Sequence, residues 1–153
     1  MQDDTNSTLL IEQVPHLPLV EKARSFDNQG VVIQRGGYFF LKINDNFIHE
    51  LYPYLSQFGN LEKPDYFTEP QMIGAHITIA YPEENTFLGL DELGQLHTFQ
   101  IKALCKAAFN NKEYFVLSVN APSLKELREK YDLPAKPLFM SNRIDFHITI
   151  GVK

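Results

Sequence analysis

His-Ile-Thr-Ile occurs twice in this sequence, at His76–Ile79 and at His147–Ile150. Each copy lies in an apolar run of strand character. Side chains alternate along a strand, so each copy places its His and Thr on one face and its isoleucines on the other. His76 and Thr78 share their face with Gly74 and Ala80. His147 and Thr149 share theirs with Asp145, Gly151 and Lys153. The small residues beside each His-Thr pair are expected to leave room for a ligand between two such strands.

Two imidazoles and two hydroxyls suit the cleavage of a phosphodiester. That reaction needs an in-line nucleophile, a leaving oxygen on the far side and stabilised equatorial oxygens. A histidine titrates near pH ~6.5, so one imidazole can act as base while the other acts as acid. Each threonine hydroxyl can donate to a non-bridging phosphate oxygen, a charge-assisted bond of about 1.5–3 kcal/mol. No step requires a metal. A single histidine on the polar face of a strand is usually only solvated, and threonine is common in strands. Two identical tetrapeptides with the same alternation favour chemistry. The pair leaves open which histidine is the acid.

The surrounding elements read as one unit used twice. Leu17–Ser25 is expected to be a short helix starting near Pro18. Val31–Gln34 and Tyr38–Asn44 read as a hairpin around Arg35-Gly36-Gly37. Phe47, Ile48, Leu51 and Leu55 recur at helical spacing after the capping pair Asn44-Asp45, with Pro53 ending or kinking the helix near Tyr52. Gln71–Tyr81 is the first motif strand, stopped by Pro82, and a turn-rich stretch follows to Gly94. Thr98–Phe109 and Tyr114–Asn120 read as antiparallel strands joined at Asn110-Asn111. Ser123 to Glu126 has the form of a capping box opening a helix that Pro134 closes. Ala135–Asn142 is expected to be a loop and Asp145–Val152 the last strand. Strands, helix and motif strand thus follow one another twice. The predicted class is α+β, with two pseudo-symmetric lobes of largely antiparallel sheet, helices outside, and a central cleft carrying both motif strands.

Two His-x-Thr motifs on strands of a two-lobed domain resemble the 2H phosphoesterase superfamily. That superfamily includes the bacterial 2′-5′ RNA ligase and cyclic phosphodiesterase group and the 2′-5′ oligoadenylate phosphodiesterases. The likeness covers roughly residues 31–153, and the contexts Gly-Ala-His-Ile-Thr-Ile and Asp-Phe-His-Ile-Thr-Ile-Gly look most like branches linked to RNA repair. By that resemblance His76, Thr78, His147 and Thr149 are the catalytic set, and no metal or other cofactor is expected. The implied substrates are a 2′,3′-cyclic phosphate, a 2′-5′ linkage or a cyclic oligonucleotide. Many relatives continue past the second motif, whereas this sequence ends at Lys153, and residues 1–30 form an N-terminal segment without a family counterpart.

The chain's 153 residues fit one domain, residues 1–153. Its net charge of −5 argues against a long footprint on duplex DNA but leaves a nucleotide or short RNA open as partner. Cys105 is the only cysteine, so no internal disulfide forms. The acidic start MQDDTNSTLL lacks a signal-peptide pattern, and no apolar run approaches the roughly 20 residues of a membrane span. A soluble, cytoplasmic monomer is expected. Further candidates for substrate contact are Lys153, on the His147 face, Arg143 and Lys136 in the loop before the second motif, and Tyr38 and Tyr81 as base-stacking rings. His16, His49 and His97 lack the motif's flanks and are read as structural or solvated, and Cys105 as a packing residue. Two readings compete with an enzyme. One is a nucleotide-binding sensor or sponge using the same cleft. The other is a zinc site on His76 and His147, which lacks a third ligand at suitable spacing.

Overall fold

The computed structural model describes residues 9–63, 73–139 and 142–153. Eight of the ten strands, β1 (Leu10–Gln13) to β10 (His147–Val152), build two four-stranded sheets, the other two pair with each other, and every ladder among the described residues is antiparallel. The first sheet has the order β4-β3-β2-β5, from β2 (Gln29–Arg35), β3 (Tyr38–Lys42), β4 (His76–Ala80) and β5 (Leu96–Thr98). The second has the order β1-β6-β7-β10, with β6 (Gln100–Phe109) and β7 (Lys112–Asn120). The fold is therefore α+β with two lobes.

Turn chemistry sets both central hairpins. Arg35 pairs with Tyr38, so β2 and β3 join through Gly36-Gly37, with Gly36 at φ +59°. Phe109 pairs with Lys112, and Asn110 and Asn111 both take positive φ, at 51° and 64°. A two-residue hairpin loop with positive φ twice matches the right-handed twist of its strands, and asparagine tolerates it.

The expected repetition is present. The hairpin β2-β3 leads through helical turns to β4, and β6-β7 leads through α3 (Pro122–Lys130) to β10. In each lobe the motif strand pairs with the second strand of its hairpin and forms one edge of the sheet. The edges β4 and β10 lie against each other. The connecting helices are exchanged between lobes. The short α2 (Asn46–His49) and the 3-10 helix Tyr52–Phe58 pack on β10, while α3 packs on β4 and β5. The isoleucines of both motifs are fully buried, together with Phe39, Leu41, Phe47 and Leu117.

Several local expectations change. The helix through Leu55 is broken: α2 ends at His49, and Pro53 sits in the first turn of the 3-10 helix, where its missing N–H costs nothing. The first motif strand begins only at His76, because Gly74 turns the chain at φ +78°. Gln71, the expected start of that strand, lies outside the described residues. Ser123 does not cap α3. Ala121 holds the N-cap with Pro122 following, and the Ser123 hydroxyl bonds His97 Nδ1 at 2.8 Å. Strand β1, the three-residue β5, and the two-residue ladder of β8 (Leu138–Phe139) with β9 (Asn142–Arg143) are additions. Helix α1 (Leu17–Arg24) forms as expected, with Pro18 in its first turn.

Candidate active site

Strand β4 aims His76 and Thr78 at the face of β3 that carries Tyr38, Phe40 and Lys42, since Phe40 stands opposite Thr78 and Lys42 opposite His76. His76 Nδ1 lies 2.7 Å from the Gly74 carbonyl, which can only accept, so Nδ1 carries the proton. In the neutral ring Nε2 is then an acceptor, and the Tyr38 hydroxyl donates to it at 2.8 Å. Tyr38 has spent its single proton, so the Thr78 hydroxyl donates to Tyr38 at 2.6 Å. Tyr81 also bonds Thr78, and with the Thr78 proton committed it is the donor there. One ordered chain results, running Tyr81 to Thr78 to Tyr38 to His76. The Tyr38 and Tyr81 rings stack at 5.8 Å, and Phe40 packs edge-on to His76 at 5.3 Å.

His147 is held the same way. Its Nδ1 donates to the carbonyl of Asp145 at 3.0 Å, again two residues upstream. The two motifs therefore fix the same tautomer, with Nε2 left as the reactive nitrogen of each ring. Strand β10 bulges between Thr149 and Gly151. Thr149 is half-buried, unlike the more enclosed Thr78.

A polar clamp fixes the chain before His76. Lys42 Nζ bonds Asp45 Oδ1 at 2.6 Å and donates to the carbonyls of Ile43 and Ala75 at 2.7 and 3.2 Å. The same Asp45 oxygen accepts the Ala75 N–H at 2.9 Å. A Cβ at position 74 would stand 2.4 Å from that oxygen, at a φ that side chains rarely adopt. Only glycine therefore delivers its carbonyl to His76 here.

Burial governs the electrostatics. His76 and His147 are each 7 % exposed. Burial, with smaller contributions from His147 and Lys42, pulls the His76 pKa down to about 4 against the Gly74 hydrogen bond. Burial also lowers His147, opposed by the carbonyl and the charge of Asp145. Tyr81 is pushed up to about 12 and Tyr38 is raised strongly, both mainly by burial, so both hydroxyls remain donors. A histidine depressed in the folded state binds fewer protons than in the unfolded chain between pH ~6.5 and its folded value. Stability is then fully present above that window and falls as pH drops through it toward about 4. Urea unfolding from pH 7 to 4 should show a loss on the order of 2–3 kcal/mol that is smaller in His76→Asn.

A family model described as Swiss Army Knife, 2H phosphoesterase domain, matches residues 39–153. The chain belongs to this 2H phosphoesterase family. Searches of curated proteins and of solved structures matched nothing. The 2H phosphoesterase domain carries a phosphodiesterase-type activity in general. Among the described residues no three His, Cys, Asp or Glu side chains group as a metal site, and no helix is long and apolar enough to cross a membrane.

Within this 2H phosphoesterase the remaining candidates separate. Tyr38 and Tyr81 join His76 and Thr78, through hydroxyls as well as rings. Lys153 does not share the His147 face. The bulge at Ile150 offsets the alternation, so that a Cβ on Gly151 would strike Leu55, and Lys153 Nζ bonds the carbonyl of Phe58 at 3.1 Å. Gly151 thus admits a core leucine rather than a ligand. Arg143 donates to Glu84 Oε1 at 2.6 Å and to the Lys136 carbonyl, while Lys136 Nζ lies 3.5 Å from Asp145. Sequence reasoning passed over Lys42, Asp45, Glu84 and Arg128. Arg128 is fully buried and bonds Glu84, the Ile79 carbonyl of β4, and the carbonyls of Pro134 and Lys136. Its only sequence signal is its place beside Leu124 and Leu127 on the apolar face of α3.

Proposed function

We propose that the protein is a metal-independent phosphodiesterase acting on a nucleotide phosphodiester by two-histidine general acid/base catalysis. The candidate linkages are a 2′,3′-cyclic phosphate, a 2′-5′ bond or a cyclic oligonucleotide. The observation that carries this reading is the shared tether. Both motif histidines commit Nδ1 to a carbonyl two residues upstream, on strands that lie side by side.

The two rings differ, and the difference suggests roles. His76 is pulled down to about 4, and its Nε2 lone pair accepts a hydroxyl proton from Tyr38, the place an attacking water would take, which suits a base. Burial lowers His147 too, but the carbonyl and the charge of Asp145 oppose that and favour its protonated form, which suits an acid. For a 2′,3′-cyclic phosphate, water attacks phosphorus and gives its proton to His76 Nε2. The bond from phosphorus to the leaving ribose oxygen breaks, and His147 Nε2–H protonates that oxygen. With a ribonucleotide diester the neighbouring 2′-hydroxyl can replace water. Thr149 serves as donor to one non-bridging oxygen, and Thr78 to another once substrate draws its proton away from Tyr38.

A panel of 2′,3′-cyclic mononucleotides, 2′-5′ oligoadenylate, cyclic dinucleotides and short RNA, incubated with EDTA, tests this. Products are resolved by chromatography and phosphorus NMR. Cleavage of one class is expected. Binding of a nucleotide without any turnover would replace the enzyme by a sensor, and activity abolished by EDTA would replace the mechanism.

The pH profile carries the role assignment. The free-enzyme kcat/KM should peak between about 4 and 6.5, falling at lower pH as the base His76 is protonated and at higher pH as the acid His147 loses its proton. Tyr38 donates to the neutral His76 ring and so favours that form. Tyr38→Phe keeps the ring stack but removes this bond. The low-pH limb should then move up in pH, with kcat reduced by roughly tenfold. An unchanged limb would remove Tyr38 from the site's chemistry.

A further inference from the structure

The face that carries His147 continues past the histidine. His147 pairs with Ser118 on β7, and Ser118 pairs with Ala103 on β6, so these residues share one side of the second sheet. Asp145 and Asn120 extend it by one step, in the direction away from Thr149. At that end lies a cavity of about 350 Å³, lined among others by Lys102, Lys125, Lys136 and Asp145. The lysines come from three separate elements: β6, the first turns of α3, and the segment after α3. The exposed Pro122 adds apolar surface to the same cavity.

Charge in the cavity runs against that of the chain. Asp145 is bridged by Lys102 at 3.3 Å and by Lys136 at 3.5 Å, while Lys125 enters from α3 without joining either pair. Three ammonium groups face one carboxylate, a local excess of positive charge in a protein of net charge −5. A concave site with cations at its rim and apolar surface beside them suits an anion attached to a flat, partly apolar body. The carbonyl of Asp145, whose side chain lines the cavity, also tethers His147. An occupant would therefore lie next to the second motif.

We propose that this cavity binds the nucleotide adjoining the scissile phosphodiester, with that nucleotide's phosphate between the lysines and its apolar surface on Pro122. The inference rests on the two-histidine nucleotide phosphodiesterase proposed above and selects within its substrates. The preferred substrate is an oligonucleotide carrying at least one phosphate beyond the one cleaved, rather than a cyclic mononucleotide.

The test compares adenosine 2′,3′-cyclic phosphate with a diadenylate ending in the same cyclic phosphate. Wild type should show kcat/KM higher for the diadenylate by about tenfold or more, as one charge-assisted contact to phosphate supplies. Lys125→Ala, which leaves both Asp145 pairs in place, and the double variant Lys102→Ala/Lys136→Ala should each bring that ratio toward one, through KM. A ratio near one in wild type, or one that neither variant changes, would overturn the proposal. If wild type cleaves neither compound, the phosphodiesterase reading fails on its own. Fluorescence anisotropy of a labelled diadenylate then decides the cavity: about tenfold weaker binding by Lys125→Ala sustains it, and equal binding removes it.

Discussion

His147→Ala should lower turnover of a ribonucleotide diester by about 10²–10⁴-fold, with nucleotide binding little changed. A ribose hydroxyl is a poor leaving group, so in the proposed mechanism its departure depends on a proton from His147. The imidazole is already aimed by the Asp145 carbonyl, and removing it leaves no second group held in that geometry by β10. His76→Ala should cost a similar factor by removing the base. The two losses are separable by leaving group. A p-nitrophenyl ester of the same nucleotide departs without protonation, so the His147→Ala deficit should shrink by at least tenfold on it while the His76→Ala deficit remains. The opposite pattern would exchange the two roles. Equal deficits on both substrates would remove the acid/base division altogether.

Arg128→Ala should be the most destabilising single change at the site's periphery, at roughly 3–5 kcal/mol, the range for breaking a buried ion pair by removing one partner. Arg128 and the side chain of Glu84 are 0 % and 1 % exposed, and two guanidinium nitrogens reach the carboxylate, the shorter contact 2.6 Å. Arg128, the Tyr81 N–H and Arg143 hold the Glu84 carboxyl below its ordinary range against burial. Loss of Arg128 leaves that carboxylate, like the Lys136 carbonyl, with Arg143 at the surface and takes the guanidinium from the carbonyls of Ile79 and Pro134. Urea denaturation measures the cost. Replacing both partners, as Arg128→Leu/Glu84→Leu, should recover part of it, because no charge is then left buried. A loss under about 1 kcal/mol in Arg128→Ala would show the network to be dispensable. Ile79 lies on β4 between Thr78 and Ala80, so the same variant should also loosen the first motif strand.

The contrast between these two predictions marks what sequence can convey. The motifs were legible because a strand has a period of two and the tetrapeptide repeats without change. The two hairpins were legible because Gly36, in Gly36-Gly37, and both residues of Asn110-Asn111 supply the positive φ that such loops need. Arg128 was hidden because a basic residue in a stretch reading Leu-Lys-Glu-Leu-Arg-Glu-Lys looks solvated, and only the packing of α3 on β4 makes it a core residue. Tyr38 was legible as a strand aromatic, but its hydroxyl's role depends on the β3–β4 register and on its ring reaching along the sheet face. Lys153 was misplaced because a bulge leaves no mark in the alternation of residue types. Strand β1 was missed because its side chains are all exposed and carry no buried-face pattern.

The exchange of helices between lobes bears on how such a chain can be divided. Each sheet is covered by the helical segment that belongs, in sequence, to the other. Strand β1 crosses as well, since it precedes the first lobe yet completes the second sheet. A cut near Gly94, between the two repeats, yields halves that each expose the sheet they build and carry the cover for the other. Neither half is a minidomain. A single ancestral repeat with this packing would find its missing cover only on a second copy of itself, so a symmetric, mutually wrapped dimer is the simplest precursor from which gene duplication gives the present chain.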